Sequence, residues 1–255
     1  MTLLGLAITM GEAIQEDLIS VQDRVRAAFN WTYETDVKSA DLLRMTCNEH
    51  PQAEAFGWSS RKRQETLEEL RTRLLQAEVV VLVGADASRD QLNRDWPVGA
   101  EFVAADGAVG ACLEQVIPCC VVTDLDGGEH LEAAVKKGIP LVMHAHGDNV
   151  ETWRASLERW EATPPPLVLT HQTHQRYEDM FNPGGFTDGD RAVCFLHWLG
   201  VSLERVRLIG YSTHRVGSWS GQTNPARKLE KLGWMATVLD TVHPSWRASQ
   251  HEDLP

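Results

Sequence analysis

From residue 78 onward, short apolar runs alternate with helical stretches, and this alternation restricts the fold more than any other feature of the chain. The runs cover residues 79–83, 102–105, 119–123, 140–144, 167–170 and 206–209. Helix-period segments fall between most of them, notably 109–115, 129–137, 150–161 and 190–199. Strand–helix alternation of this kind predicts an α/β fold with a doubly wound, mostly parallel sheet. The run Pro164-Pro165-Pro166 stops one helix before the fifth strand. Such sheets bind ligands beyond the carboxyl ends of their strands, at a topological switch point.

The first 75 residues read differently. Ile14, Leu18, Val21, Val25 and Phe29 recur at spacings of three and four, one apolar face of a helix. Asp41 is the expected cap of a second helix running through Leu42, Leu43 and Met45. A third, from Ser59 to Leu75, carries Arg61-Lys62-Arg63 followed by Glu65, Glu68 and Glu69, the pattern of a solvated face. The expected organisation is a small helical N-terminal domain over residues 1–75 and an α/β catalytic domain over 76–255.

Charge and cysteine usage narrow the function. The 24 Lys and Arg against 36 Asp and Glu give a net charge of −12, which argues against nucleic-acid or anionic-membrane binding. The five cysteines form no CxxC pair, and Cys119-Cys120 falls within an apolar run, so reduced core thiols and a cytoplasmic location are expected. The run Leu3-Leu4-Gly5-Leu6-Ala7-Ile8 is too short to span a membrane, and with no basic residue before it is a poor signal peptide.

The chemistry-bearing residues follow the apolar runs. After the first comes Gly84-Ala85-Asp86-Ala87-Ser88, either a phosphate-approaching turn or a tight turn with a capping serine. After the second and third come Asp106-Gly107 and the D-x-D turn Asp124-Leu125-Asp126-Gly127. Clustered carboxylates repel unless a cation lies between them, and hard oxygen ligands favour Mg²⁺; Gly127 is the residue expected to permit the bend. After the fourth stands His144-Ala145-His146-Gly147-Asp148-Asn149, open to a zinc reading through the two imidazoles, to substrate contacts, or to Asn149 as a helix cap. His171 and His174 lie in a polar loop after the fifth. Gly184-Gly185 then precede Thr187-Asp188-Gly189-Asp190-Arg191, which suits a flexible loop closing over triphosphate, with Arg191 as a cationic fork. Arg227, Lys228 and Lys231 open a last helix, where Lys231 reads as a surface lysine.

In this order GADAS, AADGA, VTDLDG, HAHGDN, GGFTDGDRA and LIGYS…RKLEKL resemble the archaeal-type 6-hydroxymethyl-7,8-dihydropterin pyrophosphokinases, whose catalytic core is similar to that of thiamin pyrophosphokinases. The resemblance spans roughly residues 78–240 and includes a helical N-terminus. Two places depart from the pattern: GADAS stands where a G-x-G-P-S-L type loop is expected, and no aspartate lies near Tyr211 or Ser212. The resemblance implies Mg²⁺-dependent transfer of pyrophosphate from ATP to a reduced pterin, releasing AMP, as a step of folate or methanopterin-type biosynthesis. It implies Asp124 and Asp126 as principal metal ligands with Asp106 supporting, and Asp188 and Asp190 on a second metal or orienting the attacking hydroxyl. Gly84, Ser88, Asp106, Gly107, Arg191 and Lys228 are the implied ATP contacts, and His144, His146, Asp148 and Asn149 the substrate contacts. Related folds commonly dimerise, so a homodimer is a further expectation. The alternatives are a pyrophosphokinase acting on thiamin or another small alcohol, and a metal-dependent phosphohydrolase. The short stretch after Asp240 leaves no room for the additional β-rich domain of thiamin enzymes, which favours the pterin.

Overall fold

The computed structural model describes residues 4–221 and 224–250, with side chains from Glu16 onward; Leu3 and the side chain of Ile14 lie outside the described residues. Four helices precede the sheet: α1 (Leu4–Phe29), α2 (Tyr33–Glu49), α3 (Ala53–Phe56) and α4 (Ser60–Gln76). Helix α2 is capped by Thr32, not by Asp41. The Thr32 hydroxyl accepts the Thr35 N–H at 3.4 Å, and Glu34 and Asp36 in the first turn complement the helix dipole. Asp41 lies inside α2 and accepts the Tyr177 hydroxyl at 2.8 Å. Ser59, expected as the first residue of the third helix, is its cap and accepts the Lys62 N–H at 3.3 Å. The charged run of α4 is solvated at Arg61 and Lys62, which pair with Glu65. Arg63 departs from that reading and is only 2% exposed.

The sheet follows as β1 (Val80–Val83), β2 (Glu101–Ala105), β3 (Cys120–Thr123), β4 (Leu141–Ala145), β5 (Leu167–His171) and β6 (Val206–Ile209). All neighbouring pairs are parallel, in the order β5-β4-β3-β2-β1-β6. The connecting helices are α5 (Arg89–Leu92), α6 (Val109–Leu113), α7 (Gly128–Lys136), α8 (Val150–Trp160) and α9 (Asp188–Leu199), and α10 (Pro225–Val242) follows β6. Helix α9 begins at Asp188, two residues before the expected start, because Thr187 and Asp190 form a reciprocal capping box.

Alternate strand residues enter opposite core layers, as the two-residue period of a strand requires. Val80, Leu82, Val122 and Leu208 pack with α1, α4, α9 and α10, whereas Val81, Val83, Val121 and Leu169 pack with α2, α6, α7 and α8. The connections from β1 to β5 therefore run over one face, and α9 returns across the other to set β6 beside β1. Chains leaving β1 and β6 diverge to opposite faces, which opens a crevice at their carboxyl ends.

A buried ionic knot ties the long segment between β5 and α9 to the N-terminal helices. Asp179, 5% exposed, accepts Arg44 Nε at 2.5 Å and Asn48 Nδ2 at 2.9 Å, and pairs with the Arg63 guanidinium. Burial opposes its ionisation, but these hydrogen bonds and the two arginine charges hold its carboxyl below the usual range. Removing one partner of a buried pair strands the other charge. Asp179→Ala is expected to lower the unfolding free energy by about 3–5 kcal/mol, read as a fall in the denaturant midpoint at pH 7; a change within experimental error would mean the arginines find water or new partners.

Candidate active site

The crevice is a solvent-open cleft over the ends of β1, β2 and β6 and the starts of α9 and α10. Its floor is built from strained backbone. Asp106, the first residue after β2, has φ 45°, and Leu125, inside the D-x-D turn, has φ 80°. Left-handed conformations in non-glycine residues are unfavourable and concentrate at functional sites. Thr123 stabilises both. Its hydroxyl donates to Asp106 Oδ1 at 2.5 Å and accepts the Leu125 N–H at 2.8 Å.

The turn at Leu125 sends the two carboxylates of the D-x-D motif apart. Asp126 joins Asp106 and Asp188, one oxygen of each lying within 4.8 Å of the others. Asp124 instead faces β4, with Oδ2 3.5 Å from His146 Nε2 and 3.8 Å from Arg191 Nη1. The sharp bend expected at Gly127 is made at Leu125 and Gly128. Gly127 matters for another reason: a Cβ there would come within 2.9 Å of the Asp106 carboxylate.

The triad is electrostatically loaded. Burial raises the Asp106 carboxyl well above the usual range, and hydrogen bonding to Asp126 and the charges of Asp188, Asp126 and Asp124 add to it. Asp188 is raised by burial and by the Asp124 charge, against the opposing pull of Arg191. Such a group needs either protons or a cation, and three hard oxygen donors suit a divalent ion. Among the described residues this triad is the cluster of metal-ligating side chains, and neither His144 nor His146 belongs to it. His144 is 1% exposed and bonds Thr170 Oγ1 and Gln172 Oε1 at 3.0 and 3.3 Å, and burial drives its pKa well down.

The remaining expected site residues divide. Gly84, Gly107 and Lys228 line the cleft with Asp106, Asp126 and Asp188. The Gly84 N–H, however, donates to the Ile209 carbonyl at 2.8 Å. Ser88 is exposed and caps α5, receiving the Gln91 N–H at 3.3 Å. Asp190 is fully buried and serves the cap of α9, accepting the N–H groups of Phe186 and Thr187 at 2.6 and 2.9 Å. Arg191 is 5% exposed and reaches Gln172 Oε1 at 3.0 Å and Asp188 Oδ1 at 3.5 Å. Asp148 is exposed, while the Asn149 amide is engaged by the carbonyls of His144 and Asp124 at 2.7 and 3.2 Å. Gly184 and Gly185 are packed rather than hinge-like: both have positive φ, and a Cβ would meet Leu18 or the Arg191 backbone at 2.7 Å.

Several cleft residues escaped the sequence reading. The segment 211–221 folds over the strand ends, with Trp219 N–H donating to the Ala85 carbonyl at 2.9 Å and its indole to the Ala87 carbonyl at 3.1 Å. A Cβ on Gly107 would lie 2.4 Å from the Trp219 carbonyl. Arg215 pairs with Asp86 at 2.6 Å on the rim. The one available signal was position, since all of these residues follow the sixth apolar run. Lys231, read as a surface lysine, is half-buried, and its charge acts on Asp124 and Asp188.

No protein-family model matches the chain. It is 31% identical over 235 residues to the 6-hydroxymethyl-7,8-dihydropterin pyrophosphokinase of Pyrococcus furiosus, an alignment covering 89% of this chain and 93% of that protein. The protein of the same name from Methanothermobacter thermautotrophicus is 36% identical over 179 residues, 64% of this chain and 73% of the relative. That of Methanocaldococcus jannaschii is 40% identical over 97 residues, 37% of this chain and 40% of the relative. The chain is thus an enzyme of the diphosphotransferase class. It belongs to the archaeal 6-hydroxymethyl-7,8-dihydropterin pyrophosphokinase family.

The triad also fixes a linkage. Asp106 and Asp188 have folded-state pKa values raised above the ordinary carboxylate range, so between that range and the raised values the folded chain binds more protons than the unfolded one. Their contribution is intact at low pH and is lost as pH rises through the raised values. A divalent cation competes with those protons. Adding Mg²⁺ is expected to raise Tm more at pH 7.5 than at pH 5.5, by about 5–10 °C at a hundredfold excess over Kd. Thermal melts at both pH values test this, and equal shifts would move the ion elsewhere.

Proposed function

We propose that this enzyme transfers the pyrophosphate group of ATP to the hydroxymethyl oxygen of 6-hydroxymethyl-7,8-dihydropterin. The hydroxyl oxygen bonds to the β-phosphorus, the bond from that phosphorus to the α–β bridging oxygen breaks, AMP leaves, and the hydroxyl releases its proton. The observation that carries this reading is the Asp106–Asp126–Asp188 triad beside a cleft lined by Lys228 and Arg215, in a chain of this family.

Mg²⁺ fits the three carboxylates, and when bound there would neutralise charge developing on the transferred phosphates. The chain's own residues do the positioning. Thr123 fixes the Asp106 carboxylate, and Arg191 steadies Asp188 from behind. We assign Asp188 to orient the attacking hydroxyl, because it stands at the N-terminus of α9 between the cleft and Arg191. Lys228 and Arg215 are the cations nearest the cleft for phosphate oxygens. Segment 211–221 covers the strand ends and would keep water from the reacting phosphorus.

Five cysteines, all free and buried, agree with a reducing compartment, and no described helix is long and apolar enough to cross a membrane. On the cysteines we assign the enzyme to the cytoplasm, and on its family we assign ATP and a reduced pterin as its small-molecule partners.

The test is product analysis with ATP, Mg²⁺ and the reduced pterin. AMP formed in step with pyrophosphorylated pterin is the expected result. ADP or free phosphate without modified pterin would indicate a hydrolase, and AMP formed only with another alcohol would change the acceptor. Asp126→Asn, which removes one carboxylate from the triad, is expected to lower turnover at least about a hundredfold. Turnover within a few-fold of the parent would take Asp126 out of the metal site.

A further inference from the structure

Asp124 is the acid that the triad leaves over. Its side chain is 19% exposed, Oδ2 faces His146 and Arg191, and Oδ1 is buried with no hydrogen-bond partner. Nε of Arg191, a residue 5% exposed, also lacks a partner. Unsatisfied buried polar atoms leave bonds that a water, an ion or a ligand can supply.

An aromatic cluster includes Phe186, two residues before Asp188. Phe29 and Trp31 stack at 5.0 Å, and Phe186 lies 5.7 and 6.0 Å from them. Phe29 and Trp31 are each only partly buried. Lys231 Nζ sits 5.8 Å from the Trp31 and Phe186 rings and acts on both Asp124 and Asp188, so it links the cluster to the two carboxylates. None of the three rings lines the cleft assigned to the nucleotide.

Building on the function proposed above, we infer that the acceptor ring binds here, with its 2-amino-4-oxopyrimidine edge on Asp124 and its face on Trp31. That edge presents two parallel N–H donors, from N3 and the 2-amino group, which match the two oxygens of a carboxylate as a guanidinium does. Adenine presents one donor and one acceptor on the corresponding edge and pairs poorly with a carboxylate. A flat heterocycle gains further from an aromatic face flanked by a cation. The hydroxymethyl group, at the far end of the bicycle, then extends toward Asp188, whose carboxylate shares Arg191 Nη1 with Asp124 at 3.5 and 3.8 Å. The inference moves pterin recognition from Asp148, which is exposed, and Asn149, whose amide is engaged, to Asp124.

Calorimetric titration of the full chain with reduced 6-hydroxymethylpterin and, separately, with Mg²⁺ and a non-hydrolysable ATP analogue tests it. Asp124→Asn is expected to weaken pterin binding about ten- to a hundredfold and to leave analogue binding within about twofold. Trp31→Ala is expected to weaken the pterin about three- to tenfold, with Trp31→Phe restoring most of it. A pterin lacking the 2-amino group should bind the parent more weakly and show little further loss with Asp124→Asn. Unchanged pterin affinity in Asp124→Asn, or loss of the ATP analogue instead, would overturn the inference and return Asp124 to the metal site. Loss of the analogue in Trp31→Ala would reverse the two subsites. A parent that binds the analogue but no pterin would overturn the function proposed above, a result distinct from either.

Discussion

Mutual repulsion among Asp106, Asp126 and Asp188 is the constraint on which the rest of the strand-end layer depends. Three carboxylates that approach within 4.8 Å do so only because covalent and hydrogen-bonded structure holds them there. An all-parallel sheet sends every strand's exit loop to the same rim, so β2, β3 and the start of α9 deliver one acid each. Backbone strain at Asp106 and Leu125 aims two of those acids, and Thr123 fixes the aim with one hydroxyl. The positive charge of Arg191 stands behind the third.

Behind the rim, a chain of buried polar contacts reaches into the first two helices. Gln172 accepts Arg191 at 3.0 Å through its carbonyl oxygen and donates to Asp36 at 2.9 Å through its amide nitrogen. Asp36 in turn takes Arg26 at 2.9 Å and the Gly147 N–H at 2.8 Å. Buried networks of this kind restrict how their members can be arranged, even with Arg191 Nε left unpaired. The orientation of Arg191, and with it the spacing of Asp124 and Asp188, is thereby coupled to where α1 and α2 sit on the sheet.

Much of this was legible in the sequence, for local reasons. The six strands could be located within about a residue because fully buried parallel strands leave uninterrupted apolar runs, and Ser88 announced a helix start through capping chemistry. The acids of the triad were all candidates, but their grouping was not readable. Asp124 and Asp126 look equivalent as D-x-D, and only the sign of φ at Leu125 sends them to different places. Arg63 could not be separated from its solvated neighbours because its partner, Asp179, lies 116 residues away. Trp219 and Arg215 act by folding back onto the loop that follows β1, a contact that local patterning does not encode.

The turn from Gly184 to Arg191 carries an unusual load in eight positions. It supplies two glycines seated against other chain segments, one ring of the aromatic cluster, one acid of the triad, the cap of α9 and the buried guanidinium. These roles fall on successive residues, so inserting or deleting one would shift all of those downstream together, whereas substitution can alter them singly. Evolution can therefore edit this turn by spelling but not by length. Loops on the opposite rim of the sheet are under no such restraint, and divergence in length among relatives should collect there.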